Sequence, residues 1–206
     1  MIRTIILVVF TITSMIEVSH VAIGASSKDT NSRDEEMLRS QVLQFLSTWL
    51  IDRDFKKAMD SFGDNAFSNA AIFDEECSGI RNEARNSAEE MKKEIEMFLE
   101  SIEDFPVFNN LSDALEIEVL LPLDKKLKSK VANALVQDKF LLVRVKASDV
   151  VKLSSQKKSR ESLKKYLVQT RPLYLSIIPL GGGIMYFVWE KDNQNWEIFH
   201  ANLVCM

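Results

Sequence analysis

The stretch FVWEKDNQNWEIFHANLV, residues 187–204, decides the fold of this chain. Its two apolar arms are joined by the polar tripeptide at 192–194, which is typical of a turn between two strands. A tryptophan lies on each side of that turn. The segments before it, LYLSIIPL (173–180) and GIMYFVWEK (183–191), have a similar aliphatic and aromatic character. Three such strands joined by short turns predict an antiparallel meander at the end of the chain.

Upstream of the meander, apolar residues recur at three- and four-residue steps, as in amphipathic helices. These stripes run through residues 34–50, 52–62 and 82–103, and the segments 115–122 and 139–147 are predicted as strands. Helices followed by strands indicate an α+β fold. We expect the N-terminal helices to pack on one face of a strongly curved antiparallel sheet.

The first 25 residues have the layout of a secretory signal peptide. Arg3 gives a positive start, residues 4–16 are apolar apart from Thr and Ser, and residues 22–25 are small enough for cleavage. The apolar run is too short to span a bilayer as a helix. We therefore expect a secreted or periplasmic protein that meets the membrane only through this segment, with an uncleaved anchor as the alternative. Residues 26–33 are predicted as a flexible lead-in and residues 34–206 as a single α+β domain.

The chain has two cysteines, Cys77 and Cys205. An even count permits one disulfide in an exported protein, and this one would close a loop of about 130 residues. Two buried free thiols are the alternative. No Cys-x-x-Cys or His-x-x-x-His pair is present, and His20 falls in the predicted signal peptide, so neither a metal site nor a cofactor is predicted.

Charge is distributed unevenly along the chain. Residues 26–123 carry a net charge of −12, and residues 124–171, predicted as a basic insertion, carry +10. This segregation indicates either a basic surface for an acidic partner or basic helices that lie over acidic ones. No nucleic-acid partner is expected, because the lysine-rich residues 157–165 contain no aromatic side chain for base stacking and the first one after them is Tyr166.

The terminal sequence YFVWEKDNQNWEIFHANL (186–203) resembles the last two strands of the nuclear transport factor 2-like superfamily. That superfamily includes the SnoaL-like and ketosteroid-isomerase-like proteins, and many members end on a strand, a short Asp/Asn/Gly turn and then Trp-x-Ile. The helix through 42–50 and the sequence FKKAMDSFGDNAF (55–67) resemble the family's opening helices.

This resemblance implies a cone-shaped α+β barrel, in which a long first helix lies across a strongly bent antiparallel sheet with a pocket between them. Enzymes of the superfamily place Asp, His, Tyr or Arg in that pocket, whereas many other members are non-catalytic. Members often pair through the sheet, so the resemblance also implies a homodimer through the sheet.

The last strand supplies the first candidate site residues. Simple alternation puts Trp196, Ile198, His200 and Asn202 on one face. If that face lines the pocket, His200 and Asn202 are polar groups in a mostly apolar cavity, which is typical of a small-molecule site. A neutral imidazole at His200 could act as a general base, and a structural histidine is the alternative.

Other strands and the first helix connection supply further candidates. Arg144 could hold a carboxylate, or it could be an edge charge that reaches water. Tyr174 and Tyr186 could donate hydroxyls to a ligand, or pack within the sheet. Asp52 and Asp54 are predicted to be helix caps.

These features predict an exported small-ligand-binding or protein-interaction module, with a small apolar or anionic ligand. One alternative is an isomerase or dehydratase that uses a pocket histidine, His200, as its base. Another is an envelope factor that uses its basic segment on an acidic partner or a membrane surface.

Overall fold

The computed structural model describes the following parts of the chain: residues 32–66, 88–102, 111, 115–119, 129, 133, 139–153, 157–167, 172–180 and 183–205. The predicted signal peptide and Cys77 lie outside the described residues, so export and the Cys77–Cys205 disulfide stay predictions. The chain divides into two units, residues 1–40 and 41–206. In the first unit, residues 32–40 are helical.

The second unit holds the elements α1–α5 and β1–β5. Its helical elements are α1 (41–46), a π-helical turn (Ser47–Ile51), α2 (Phe55–Ala58), a 3-10 turn (Met59–Ser61), α3 (Ala88–Glu100), α4 (Ala147–Leu153) and α5 (Lys157–Tyr166). Its strands are β1 (Leu115–Val119), β2 (Phe140–Val145), β3 (Leu173–Leu180), β4 (Gly183–Asp192) and β5 (Asn195–Cys205). Helices and sheet together make the fold α+β, as predicted. Within the described parts of the chain, no helix has the length and apolar character needed to cross a bilayer.

The connection between the first two predicted helices is built by two aspartates with different roles. Asp54 is the N-cap of α2, because its side chain accepts a hydrogen bond from the backbone N–H of Lys57 at 3.0 Å. Asp52 lies at the C-terminal end of the π-helical turn, and its backbone N–H donates to the carbonyl of Ser47. Arg53 between them has φ 56°, so the chain changes direction at this residue.

The strands form one sheet in the order β1-β2-β3-β4-β5. β3, β4 and β5 make the predicted antiparallel meander, and β2 also pairs antiparallel with β3. β1 pairs parallel with β2, so the prediction of a wholly antiparallel sheet is wrong. The reason is the long connection through residues 120–139, which lets the chain cross over and return in the same direction. β1 and β5 are the outer strands, so the sheet is open in the described residues.

A β-bulge interrupts the pairing of β4 with β5. Val188 pairs with His200 but Trp189 pairs with Ile198, which leaves Phe199 as the extra residue on β5. The predicted alternation along β5 is therefore wrong beyond Ile198. The extra residue moves His200 and Asn202 to the face opposite Trp196 and Ile198.

Helices cover both faces of the sheet. One face, called here the aromatic face, packs against α1, the helical turns that follow it and α3. On this face the ring of Phe187 contacts Phe45, Trp49, Phe62 and Phe98. The other face, called here the aliphatic face, packs against α4 and α5, which the sequence did not predict. Its buried members are Leu141, Val143, Val150, Leu163, Leu173, Leu175, Ile177, Tyr186, Val188 and Phe199.

The sheet separates the basic and acidic helices. α5 is rich in lysine and packs through Leu163 onto the aliphatic face, whereas α3, with five glutamates, packs through Phe98 onto the aromatic face. In this described pair, the basic helix therefore does not lie over the acidic one.

Candidate functional site

A cleft opens to solvent where the turn end of the β4–β5 hairpin meets α1, α2 and the helical turns after them. Its volume is about 280 Å³, near the lower end of the range of about 300–1,000 Å³ in which proteins bind small molecules. The lining combines aromatic rings with amides, hydroxyls, two carboxylates and one ammonium group: Gln41, Gln44, Phe45, Thr48, Lys57, Asp60, Ser61, Trp189, Asn195, Trp196 and Glu197.

The aromatic rings form the floor of the cleft and are almost entirely buried. Phe45 packs edge-on against Trp189 with 5.7 Å between ring centroids, and each is 1% exposed. The indole N–H of Trp189 donates to Ser176 Oγ at 2.8 Å in the interior, which fixes the orientation of the ring. The floor is therefore held in place without a ligand.

Two contacts position Trp196 at the side of the cleft. Gln41 on α1 accepts a hydrogen bond from the backbone N–H of Trp196 at 3.0 Å, which ties the helix to β5. The ring of Tyr174 packs edge-on against the indole at 5.4 Å. The buried indole Nε1 of Trp196 has no hydrogen-bond acceptor within the part of the chain that the structure describes.

Glu197 gives the rim of the cleft its charge. Burial raises the pKa of the Glu197 carboxyl above its ordinary value, and the negative charges of Asp192, Asp64 and Glu190 raise that pKa further. Glu197 and Glu190 are directly opposite in the β4–β5 register, where like charges repel. A proton or a cation at this rim would relieve that repulsion.

Gly63 makes room for the Glu197 side chain. Its backbone N–H donates to the carbonyl of Ile198 at 3.0 Å, beside the parallel bridge between Phe62 and Ile198. A Cβ at position 63 would collide with Glu197 Oε2 and come within 3.2 Å of Glu197 Cβ. Glycine at position 63 therefore lets the Glu197 side chain keep its present position.

Glu190 is held by two side chains rather than open to the cleft. It is 3% exposed and accepts hydrogen bonds from Asn65 Nδ2, at 2.9 Å, and from the Tyr166 hydroxyl. Tyr166 belongs to α5, so this carboxylate links the hairpin to the helix on the aliphatic face.

The sequence-predicted site residues divide into two groups on opposite faces of the sheet. His200, Tyr186 and Asn202 are buried on the aliphatic face, where Asn202 Nδ2 donates to the Tyr186 hydroxyl at 2.9 Å. The His200 ring lies 6.3 Å from the Tyr186 ring, between centroids. This trio does not line the cleft.

On the aromatic face, the structure brings together Trp196, which lines the cleft, and Tyr174, which packs against it. Arg144 is opposite Tyr174 in the β2–β3 register and is exposed, in keeping with a charge that reaches water. Most of the cleft lining was not predicted. Its only local signal is that Gln41, Gln44 and Thr48 flank the apolar stripe of the first predicted helix.

In the ranges that the structure describes, no three His, Cys, Asp or Glu residues are grouped so that they could hold a metal ion. Glu197 and the three carboxylates around it are an electrostatic feature of the cleft rim.

Comparisons of this chain with protein-family models, with curated proteins and with solved structures find no match.

Proposed function

We propose that this protein is an exported binding module that takes a small polar ligand in the cleft at the end of the β4–β5 hairpin. The single observation that carries this proposal is the cleft itself, a solvent-open space with a fixed aromatic floor and a rim of hydrogen-bonding groups. Export rests on the signal-peptide layout of residues 1–25.

The charge of the rim favours a neutral or cationic ligand over the apolar or anionic one expected from the sequence. Asp60 and Glu197 face the cleft with Lys57 as the only ammonium group of its lining, and Asp64 and Asp192 add negative charge close to Glu197. An anionic ligand would have to overcome this field, whereas an ammonium group would relieve it. The amides and hydroxyls of the lining supply further hydrogen bonds.

The arrangement favours binding over the isomerase or dehydratase alternative. A general base must come within hydrogen-bond reach of its substrate, directly or through one water. His200 is 0% exposed and lies on the aliphatic face, with the sheet between it and the cleft. The space between α1 and the sheet, where family enzymes hold their substrates, is filled by aromatic rings.

We also propose that the chain is a divergent member of the nuclear transport factor 2-like superfamily. The support is the order of elements, with N-terminal helices against one face of a terminal antiparallel meander. A cone-shaped curvature of the sheet is part of this proposal. The homodimer through the sheet stays a proposal, and α4 and α5 pack on the face opposite α1 and α3.

The three tryptophan indoles provide a direct test of ligand binding. In ¹H–¹⁵N spectra, ethanolamine at millimolar concentration should shift the Trp196 indole signal in a saturable way, glycerol should shift it less, and acetate should leave it unchanged. The Trp49 indole serves as the internal control, because it donates to the carbonyl of Leu99 at 3.0 Å and does not line the cleft.

Two neighbouring lysines provide matched variants for the same titration. Lys57 lines the cleft and Lys56 does not, although both are exposed on α2. Lys57→Glu should strengthen the response to ethanolamine and Lys56→Glu should not change it. Equal shifts of all three indoles, or no response of Trp196 to any probe, would overturn the proposal.

A further inference from the structure

The turn end of the β4–β5 hairpin carries an acidic patch, defined here by Asp60, Asp64, Asp192 and Glu197. Asp60 and Asp64 are exposed, and the other two are partly exposed. Asp64 and Asp192 both act on the Glu197 carboxyl and raise its pKa, so the charges are close enough to repel one another. A group of like charges at this spacing attracts a cationic surface.

The outward side of α5 carries a basic patch, defined here by Arg160, Lys164 and Lys165. All three are exposed, whereas Leu163, between them in sequence, is 0% exposed and faces the sheet. The exposed Glu161 lies among them and lowers the positive charge of the patch, whereas Arg160 and Lys164 are one turn apart, where like charges weaken a helix. The basic patch therefore also favours a partner of opposite charge.

The two patches adjoin on the surface of one molecule. Tyr166, in the last turn of α5, bonds to Glu190 on β4, and Glu190 is opposite Glu197 in the β4–β5 register. Lys165 precedes Tyr166 directly in the chain. The basic end of α5 and the acidic end of the hairpin are therefore neighbours, joined through one buried carboxylate.

We propose that these adjoining patches form a single self-complementary surface through which two copies of this chain pair about a two-fold axis. In a two-fold dimer each contact occurs twice, so adjacent patches of opposite sign place acid against base on both sides of the axis. The acidic patch of each copy meets the basic patch of its partner. The acidic patch includes Asp60 and Glu197 of the cleft lining, so a cationic ligand would compete with this pairing and is not required for it.

Charge complementarity within the molecule favours a second copy over a membrane surface. Stable insertion into a bilayer interface needs exposed apolar side chains. Among the described residues, Met97 is the exposed large hydrophobic side chain. It belongs to α3, which packs on the aromatic face, whereas α5 packs on the opposite face. The described exposed side chains of α4 and α5 are polar or charged, so this layer can bind a partner mainly through electrostatic attraction. The acidic residues that complement its positive charge lie on the same chain.

Sedimentation velocity of the intact mature protein tests the pairing. We expect a dimer in low salt that dissociates progressively as NaCl is raised, because surface charges are screened over a Debye length of about 10 Å at 0.1 M ionic strength. Lys164→Glu/Lys165→Glu should raise the dimer dissociation constant at least about tenfold, an effect typical of charge reversal in an electrostatic interface. Lys92→Glu/Lys93→Glu on α3 is the matched control and should leave the dimer intact.

Mixing variants of opposite design makes the test specific. Asp64→Lys/Asp192→Lys should be monomeric alone, and an equimolar mixture with Lys164→Glu/Lys165→Glu should restore a dimer, because both contacts of the mixed dimer then pair opposite charges: the two reversed patches at one, the two unchanged patches at the other. Circular dichroism establishes that each variant is folded. If one does not fold, the salt dependence of the wild-type dimer still decides the question.

Three results would overturn the proposal. The wild-type protein could be monomeric at low salt and at every concentration, or its dimer could be insensitive to NaCl and to the lysine reversals. The third is a monomer that sediments with phosphatidylglycerol vesicles and loses that binding in Lys164→Glu/Lys165→Glu, which would assign the basic patch to an anionic membrane surface instead.

Discussion

The two faces of the sheet are stabilised by different chemistry, although they are built from the same strands. The aromatic face packs rings against rings, and its buried polar contacts include the Trp189–Ser176 bond and the bond from the Trp49 indole to the Leu99 carbonyl. The aliphatic face packs branched side chains under α4 and α5 and encloses the polar trio of His200, Tyr186 and Asn202. The cleft described above opens to solvent from the first face. A buried polar group is thus a poor guide to a site when a second helical layer covers it.

The bulge at Phe199 produces this difference within a single strand. Before the bulge, β5 presents Trp196 and Ile198 to the aromatic face, and after it β5 presents His200 and Asn202 to the aliphatic face. One extra residue therefore separates the tryptophan that lines the cleft from the histidine that the sequence had grouped with it.

The largest expected effect is the loss of ring packing on the aromatic face. Phe187 is 0% exposed and its ring centroid lies 4.9 Å from that of Phe45 and 5.3 Å from that of Trp49. Phe187→Ala should lower the free energy of unfolding by about 3–5 kcal/mol, because it removes buried surface and leaves a cavity. Urea unfolding followed by circular dichroism measures the change.

The adjacent residue provides the matched comparison. Val188 is equally buried but points to the aliphatic face. Val188→Ala removes two buried carbon groups and should lower the free energy of unfolding by about 2 kcal/mol. If both substitutions cost the same, the aromatic face is not the more tightly packed of the two, and the comparison fails.

The buried polar trio should contribute the next largest effect. Tyr186→Phe removes the hydroxyl that accepts from Asn202 Nδ2 at 2.9 Å, so a buried amide donor loses this partner. We expect a cost of about 1–3 kcal/mol in the free energy of unfolding. Tyr186→Phe/Asn202→Leu should recover part of that loss, since the polar group is then removed as well. A double variant less stable than the sum of its single variants would show that Asn202 has a separate structural role.

Much of the fold follows from local pattern. The three strands of the meander and the α3 helix were predicted because each carries its own periodicity, of two or of about 3.6 residues. The parallel pairing of β1 with β2 was not predicted, because the direction of a strand depends on the connection that precedes it and not on the sequence LEIEV itself. The bulge was missed because Phe199 fits simple alternation as well as its neighbours do.

The site was predicted less well than the fold, since its residues meet only through long-range packing. Gln41 and Trp196 are 155 positions apart in the chain, and nothing local to Gln41 marks it as the acceptor for a strand N–H. Glu197 looks like an ordinary outward residue between Trp196 and Ile198. Its unusual environment comes from Asp64 and Gly63, which the tertiary fold brings beside it.

Gly63→Ala should lower the free energy of unfolding by less than the substitutions at Phe187 and Tyr186. Gly63 lies beside the end of the hairpin, where both faces of the sheet end. The added methyl group collides with the Glu197 carboxylate, which is the far end of a flexible side chain and can move aside. We therefore expect a cost near the lower end of the range of about 1–3 kcal/mol typical of overpacking. In a double-mutant cycle, Glu197→Ala should relieve part of this cost. No coupling between the two positions would mean that the strain lies elsewhere in the backbone.

The smallest effect concerns the charge of Glu197 and depends on pH. Its pKa in the folded protein is raised above the ordinary 4.5, so the folded state binds this proton more tightly than the unfolded state. The ionised carboxylate therefore lowers the free energy of unfolding as the pH rises through the folded-state pKa. Below 4.5 the group is protonated in both states and the penalty vanishes.

Glu197→Gln should accordingly raise the melting temperature at neutral pH and give progressively less stabilisation as the pH approaches the ordinary value. Thermal unfolding of variant and wild type at matched pH values isolates this difference from the titration of other groups. Glu100→Gln, at an exposed position at the end of α3, is the control and should show no such trend. If Glu197→Gln stabilises the protein by the same amount at every pH, the stabilisation comes from packing and not from relief of the repulsion among the carboxylates at the hairpin end.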